Sequence, residues 1–236
     1  MLAPSPAFVQ KATATLNNTS NTVQLTGVGA GNFLAVIESC FTGASGSSNV
    51  SFNKPTDSSG DAWWQGVAPI GLQPGGGGSC VAGCAFAPNV AGGTHTVTIA
   101  ATGFSMTGHV TLVEFSGFPA LVALDQGTYN GGTTAQTLAT GNTPATQSAI
   151  ALVLAGIAIG TGTGVSNAAI TDPPSGFTSL YVQNTTTTDI GVEHCYAIKL
   201  PGQQSASWSW SDATTIASQC VVAAFGPYQL TGAGVQ

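Results

Sequence analysis

Thr94-His-Thr-Val-Thr-Ile99 places three threonines on one side of an extended chain and His95, Val97 and Ile99 on the other. A period of two belongs to a half-exposed strand of an antiparallel sheet. Ser205-Ala-Ser-Trp-Ser-Trp210 repeats the pattern in the second half, with Trp208 and Trp210 on a shared face. By contrast, Phe33-Leu-Ala-Val-Ile37, Ile150-Ala-Leu-Val-Leu154 and Val221-Val-Ala-Ala-Phe225 are apolar on both faces, which places them at the centre of a sandwich.

Working outward, turn clusters of Gly, Pro, Asn, Asp and Ser separate short strand-like runs, and no segment carries a convincing helical period. The first half predicts strands at Phe8–Leu16, Thr22–Thr26, Asn32–Cys40, Val50–Asn53, Cys80–Phe86, His95–Ala101 and Val110–Phe115. The second half predicts Leu121–Asp125, Thr133–Leu138, Ala149–Ile159, Phe177–Gln183, Val192–Leu200, Ala206–Trp210 and Ile216–Phe225. The expected fold class is all-β, an antiparallel, jelly-roll-like β-sandwich.

The halves resemble each other. Each runs from a Thr-rich strand to an apolar strand, a loop with Pro and an aromatic, a Cys-containing strand, an alternating Thr/Ser strand and an apolar closing strand. The closing strands end in Phe115-Ser-Gly-Phe118 and Phe225-Gly-Pro-Tyr228. Such a quasi-repeat suits two parts of one jelly roll, and it equally suits two tandem sandwiches. No Pro/Ser-rich or charged linker separates Phe118 from Thr133, which favours one domain over residues 1–236 built from halves of about 8–118 and 121–228.

Only 5% of the residues are charged, against about 25% in ordinary soluble proteins, and Lys11, Lys54 and Lys199 are the only basic side chains. A net charge of −6 with three scattered lysines argues against nucleic acid as a partner, because phosphate binding needs basic groups to displace counterions. The longest apolar run, Ala149–Ile159, is short of the roughly 20 residues that cross a bilayer as a helix, so no membrane span is expected. The start of the chain lacks the basic and apolar stretches of a secretion signal, while its Thr/Gly/Asn-rich surface suits an extracellular setting. A virion protein, made in a host cytoplasm and working outside it, meets both conditions, and so does an exported protein whose signal has been removed.

Paired carboxylates for glycan hydrolysis are the first catalytic chemistry to consider, and the acids are Glu38, Asp57, Asp61, Glu114, Asp125, Asp172, Asp189, Glu193 and Asp212. Glu38 and Glu114 lie in apolar strands, but no pair stands out. No Gly-x-Ser-x-Gly elbow precedes a helix, so His95, His109 and His194 read as strand residues rather than as triad members. Asp57-Ser-Ser-Gly-Asp61 offers two carboxylates to a Ca²⁺ ion without EF-hand spacing, and a plain Gly/Ser/Asp turn is the commoner explanation. Neither catalytic residues, nor a cofactor, nor a metal are expected.

Five cysteines leave at least one unpaired within the chain. Cys80 and Cys84 are the one close pair: a turn at Gly83 would bring them within disulfide reach, whereas an extended strand would hold them about 13 Å apart. Trp63, Trp64, Trp208 and Trp210 are the candidate sugar-stacking or interface aromatics, set against the alternative that they are core.

Gly31-Asn-Phe-Leu-Ala-Val36, Pro55-Thr-Asp-Ser-Ser-Gly60 with Trp63, and Val113-Glu-Phe-Ser-Gly117 give the chain a texture that resembles surface β-sandwich proteins of tailed bacteriophages. These include capsid decoration (cement) proteins, head fibres and tail-fibre modules. The resemblance implies a structural protein on the virion surface that binds the major capsid protein or another virion protein and forms a homo-oligomer, most often a trimer. It carries over no active-site residue. The rival expectations are a secreted carbohydrate-binding or adhesive module, with glycan as its partner, and a filament or fibre subunit.

Overall fold

The structure is a computed structural model that describes residues 5–42, 51–67, 79–102, 105–119, 122–132, 136–161, 169–171, 173–184, 190–211 and 215–227. Among them every regular element is a strand. The first half contains β1 (Ala7–Leu16), β2 (Ser20–Val28), β3 (Phe33–Thr42), β4 (Thr56–Asp57), β5 (Trp64–Val67), β6 (Ser79–Ala87), β7 (Gly93–Ala100) and β8 (Thr107–Ser116). The second contains β9 (Val122–Gly132), β10 (Thr137–Ala139), β11 (Ala151–Thr161), β12 (Thr178–Gln183), β13 (Ile190–Lys199), β14 (Ser207–Ser209) and β15 (Thr215–Pro227).

All pairings are antiparallel. The first half forms a five-stranded sheet, β1-β8-β3-β6-β5, and a three-stranded one, β2-β7-β4. The second forms a five-stranded sheet, β12-β13-β11-β15-β9, and a two-stranded one, β10-β14. Read from its other edge, the second large sheet has the order of the first, with β9, β15, β11, β13 and β12 standing for β1, β8, β3, β6 and β5. The repeat therefore extends to topology, and an isolated Ile170–Trp210 bridge stands where β4 joins β7. Each half follows jelly-roll strand order, except that β5 and β12 sit at the edge of the large sheet.

The four sheets stack as layers. Leu34, Val36, Ala85, Val110 and Leu112 of the first large sheet face Val23, Leu25, Val97 and Ile99 of its small sheet. Its other face, with Phe33, Ile37, Phe86 and Phe115, packs on Leu152, Leu154, Val221 and Phe225 of the second large sheet. Beyond that, Val153, Ile157, Cys195 and Val222 meet Leu138 and Trp208 of the last small sheet. Both large sheets are thus covered on both faces, which is why β3, β11 and β15 read as continuous apolar runs. The alternating segments, β7 and β14, belong to the thin outer sheets, with one face toward solvent.

Close approach at the centre depends on missing side chains. A Cβ at Gly156 would meet Ile37 Cγ2 at 2.6 Å, and one at Gly160 would meet the Phe41 ring at 2.5 Å. These pairs also show that β3 and β11 run the same way across the central layer.

Some expectations differ from the structure. β4 and β5 were not legible as strands, being very short and lacking alternation. β9 continues through Gln126-Gly-Thr-Tyr-Asn-Gly-Gly132, a turn-like composition, because backbone pairing with β15 holds it in register from Val122↔Pro227 to Gly132↔Ser218. Phe52 makes only an isolated bridge to Ala101, and Val50, Leu121 and Thr133 lie outside the described residues.

Candidate functional site

Trp63 belongs to the first outer core and Trp208 and Trp210 to the second, all at most 4% exposed. For these three the candidate reading as surface platforms is corrected in favour of the core alternative weighed beside it. The two-residue spacing of Trp208 and Trp210 records an inward-facing side of β14 and its extension, and it was the apolar content of that side that decided its burial. Trp64 is different: it is 57% exposed on the edge strand β5. Tyr129, which the sequence reading passed over, is 51% exposed on the edge strand β9.

Trp64 and Tyr129 lie along one seam. Sheet edge β5 rests on sheet edge β9, where the site of a Gly127 Cβ is 2.6 Å from Val67 Cγ2. Trp64 pairs with Phe86, and Tyr129 with Val221, so both begin from the central faces of their sheets and emerge at the rim on either side of the Val67–Gly127 contact.

The repeat relates this seam to the one between β1 and β12, which is closed differently. There Phe8 stacks on Tyr196 at 5.6 Å, and Lys11 Nζ crosses from β1 to donate to the Leu180 carbonyl of β12. That rim is tied within the chain, although Phe8 of β1, stacked on Tyr196 of β13, stays 40% exposed; the corresponding rim presents Trp64 and Tyr129 to solvent without such a tie between them among the described residues.

Two of the described acids hold backbone or side-chain donors in place. Glu114 accepts from Gly29 N at 2.8 Å, Asn32 Nδ2 at 2.6 Å and Gln10 Nε2 at 2.6 Å, which fixes the β2–β3 turn against β8. Asp125 Oδ2 accepts from Gln147 N and Ser148 N at 2.8 and 3.0 Å. Glu38 is fully buried on the outward face of β3, and its carboxyl oxygens have no hydrogen-bond partner among the described residues. Burial pushes its pKa up to about 8. Of the three lysines, Lys11 is held by the Leu180 carbonyl and Lys199 lies 4.9 Å from the centre of the Phe177 ring. Glu193 is buried on the outward face of β13, in the second outer core. Asp172, Asp189 and Asp212 lie outside the described residues.

Two histidines stand in the central layer. His194 Nδ1 meets Thr111 Oγ1 at 2.8 Å and its Nε2 meets Ser39 Oγ at 3.0 Å, so a second-half strand is hydrogen-bonded to β8 and β3 of the first. Burial, with repulsion from His109 as a smaller cause, lowers its pKa to about 3. His109 is held below its ordinary value by burial, and its Nε2 lies 3.3 Å from the Tyr181 hydroxyl. Both rings are neutral at physiological pH, and they serve as polar pins between apolar faces.

No disulfide joins Cys80 to Cys84, and these two are buried together with Cys40, Cys195 and Cys220. The candidate disulfide is corrected: β6 stays extended through Gly83, holding both thiols toward the central layer about 13 Å apart along the strand. Burial pushes the Cys84 and Cys220 thiols up to about 12, outside the range of a reactive thiolate.

The Asp57–Asp61 turn gathers more than the sequence suggested. Its carboxylates converge on His95 of β7, with His95 Nδ1 at 2.8 Å from Asp57 Oδ2 and 3.4 Å from Asp61 Oδ2. Gly60, at φ +77°, makes the bend that returns Asp61 to the cluster. Burial opposes a charged imidazole here. The hydrogen bond to Asp57, the Ala91 carbonyl and the two carboxylate charges outweigh it, so the His95 pKa lies above its ordinary value. The signal available in the sequence was Asp-x₃-Asp beside a strand bearing an inward His, but their meeting depends on β4 pairing with β7.

Comparisons of the chain with protein-family models, with curated proteins and with solved structures find no match.

Proposed function

We propose that this protein is a non-catalytic structural module of an exposed particle surface, similar in role to phage decoration proteins, and that it attaches to a protein shell through the β5/β9 seam. The observation that carries the reading is the unequal treatment of two related seams: the Lys11–Leu180 bond and the Phe8–Tyr196 stack tie one across, with Phe8 still 40% exposed, while Trp64 and Tyr129 stand 57% and 51% exposed on the other. Large aromatics at a rim supply the contact area that anchors protein interfaces. With 5% charged residues, the chain has little with which to steer a charged partner, so the matching surface is uncharged and apolar. The bonds made by Glu114 and Asp125 and the burial of Glu38 further support a structural role. Binding only to an assembled shell stabilises that shell by linkage, through interface area that exists only in the assembled state.

Exposure of the same aromatics favours one rival, a carbohydrate-binding module that stacks Trp64 and Tyr129 on sugar rings. Size-exclusion chromatography with light scattering, followed by incubation with capsid shells lacking the protein and with polysaccharides, separates the readings. A homo-oligomer, such as a trimer, that coats shells and ignores glycans supports the structural reading. A monomer that binds polysaccharide overturns it.

A further inference from the structure

We propose that Asp57, Asp61 and His95 form a binding site for a divalent transition-metal ion of the zinc class, on the outer small sheet of the first half. Three ligand atoms, one from each side chain, lie within 4.8 Å of one another. In each side chain the remaining heteroatom is fixed by backbone. Asp57 Oδ1 accepts from Ser59 N at 3.0 Å, Asp61 Oδ1 accepts from Ala91 N at 3.1 Å, and His95 Nε2 donates to the Ala91 carbonyl at 2.9 Å. An imidazole whose distal N–H is held by a carbonyl is oriented as metal-binding histidines are.

The atoms left facing one another are His95 Nδ1, Asp57 Oδ2 and Asp61 Oδ2. Tetrahedral zinc with ligands at about 2.0 Å needs ligand–ligand separations of roughly 3.3 Å. The separations from Nδ1, 2.8 and 3.4 Å, bracket that value. Asp61 Oδ2 is shielded from solvent and, beyond its 3.4 Å contact with His95 Nδ1, has no hydrogen-bond partner among the described residues, so an ion would supply it with a direct ligand bond. The side chains of His95 and Asp57 are fully buried and that of Asp61 is 17% exposed, so the site lies just beneath the surface on the Asp61 side.

The donor set also selects the ion. One imidazole nitrogen and two carboxylate oxygens suit Zn²⁺, and they fall well short of the six to eight oxygens that Ca²⁺ takes. The Asp-Ser-Ser-Gly-Asp turn is therefore assigned to a transition metal and not to calcium. The bound ion would clamp β4 and its turn onto β7, a structural role independent of the seam.

The test uses the full chain stripped with chelator and then titrated with ZnCl2 or CaCl2, read by calorimetry and by thermal melting. One equivalent of Zn²⁺ binds, and at a hundred-fold excess over Kd it raises Tm by several degrees, about 3 kcal/mol by linkage, while Ca²⁺ does neither. Asp61→Asn keeps the Oδ1 acceptor for Ala91 N and lowers zinc affinity at least about tenfold. If that variant does not fold, Asp57→Asn serves in its place. Absence of zinc binding in the wild type overturns the proposal and leaves His95 hydrogen-bonded to Asp57 beside Asp61. Unchanged affinity in the variants overturns it in favour of a site elsewhere.

Discussion

Glu38 and His194 are both fully buried, yet they bias stability with pH in opposite directions. Glu38 has a folded pKa raised to about 8 from 4.5, so the stability tied to its protonated form is complete below pH 4.5 and is lost as pH rises toward 8. His194 has a folded pKa lowered to about 3 from 6.5, so its contribution is complete above pH 6.5 and is lost as pH falls toward 3. Each slope is on the order of 1 kcal/mol per pH unit. They cancel between pH 4.5 and 6.5, leaving a plateau that declines on both sides; His109, lowered from 6.5, adds to the acid side from pH 6.5 downward, and His95, raised above 6.5, adds to the decline on the alkaline side. Urea melts across pH 4–8 are expected to show that plateau, and Glu38→Gln to lessen the decline above pH 6.5, leaving the part that belongs to His95, while keeping the acid one. At the same scale, Trp208→Ala should cost about 3–5 kcal/mol in the same assay, because a fully buried indole leaves a cavity in the second outer core. A loss below 1 kcal/mol would place that ring outside the core.

Elements were most legible where burial is two-sided or cleanly one-sided. The runs at Phe33–Ile37 and Val221–Phe225 announced central strands, and Thr94–Ile99 an outer one, because side-chain pattern follows the layers on either side of a sheet. Strands β5 and β9 sit at sheet edges, where backbone pairing alone suffices and composition carries little signal. For that reason the aromatic seam escaped the sequence reading, although Trp64 itself did not. Glycine spacing in β11 was equally silent until β3 was laid against it. Gly160→Val drives a side chain into the Phe41 ring and should cost about 1–3 kcal/mol by overpacking. Full stability of that variant would mean that the two large sheets do not approach as described. Trp64→Ser and Tyr129→Ser, being changes at an exposed rim, are expected to leave Tm within about 2 °C and to abolish attachment to shells.

At the scale of the whole molecule, the chain repeats one strand order and uses the pair to cover faces that neither half could leave open. The apolar central layer joins Phe33, Phe86 and Phe115 of the first half to Leu152, Leu154 and Phe225 of the second, and His194 adds hydrogen bonds to Ser39 and Thr111 across it. The likeness of the halves could be read from the sequence. The way they stack could not, since it depends on which apolar faces meet. Buried thiols report on the integrity of that stack: all five should resist a thiol reagent in the native state and react together on unfolding. Native-state hydrogen exchange followed by mass spectrometry tests the shared core most directly. If the two sandwiches are one body, peptides from β3, β11 and β15 exchange with a single opening free energy equal to that of global unfolding, and those from β7 and β14 exchange sooner. Exchange of β11 and β15 while β3 stays protected, or the reverse, would contradict a common core and return the halves to the status of independent sandwiches.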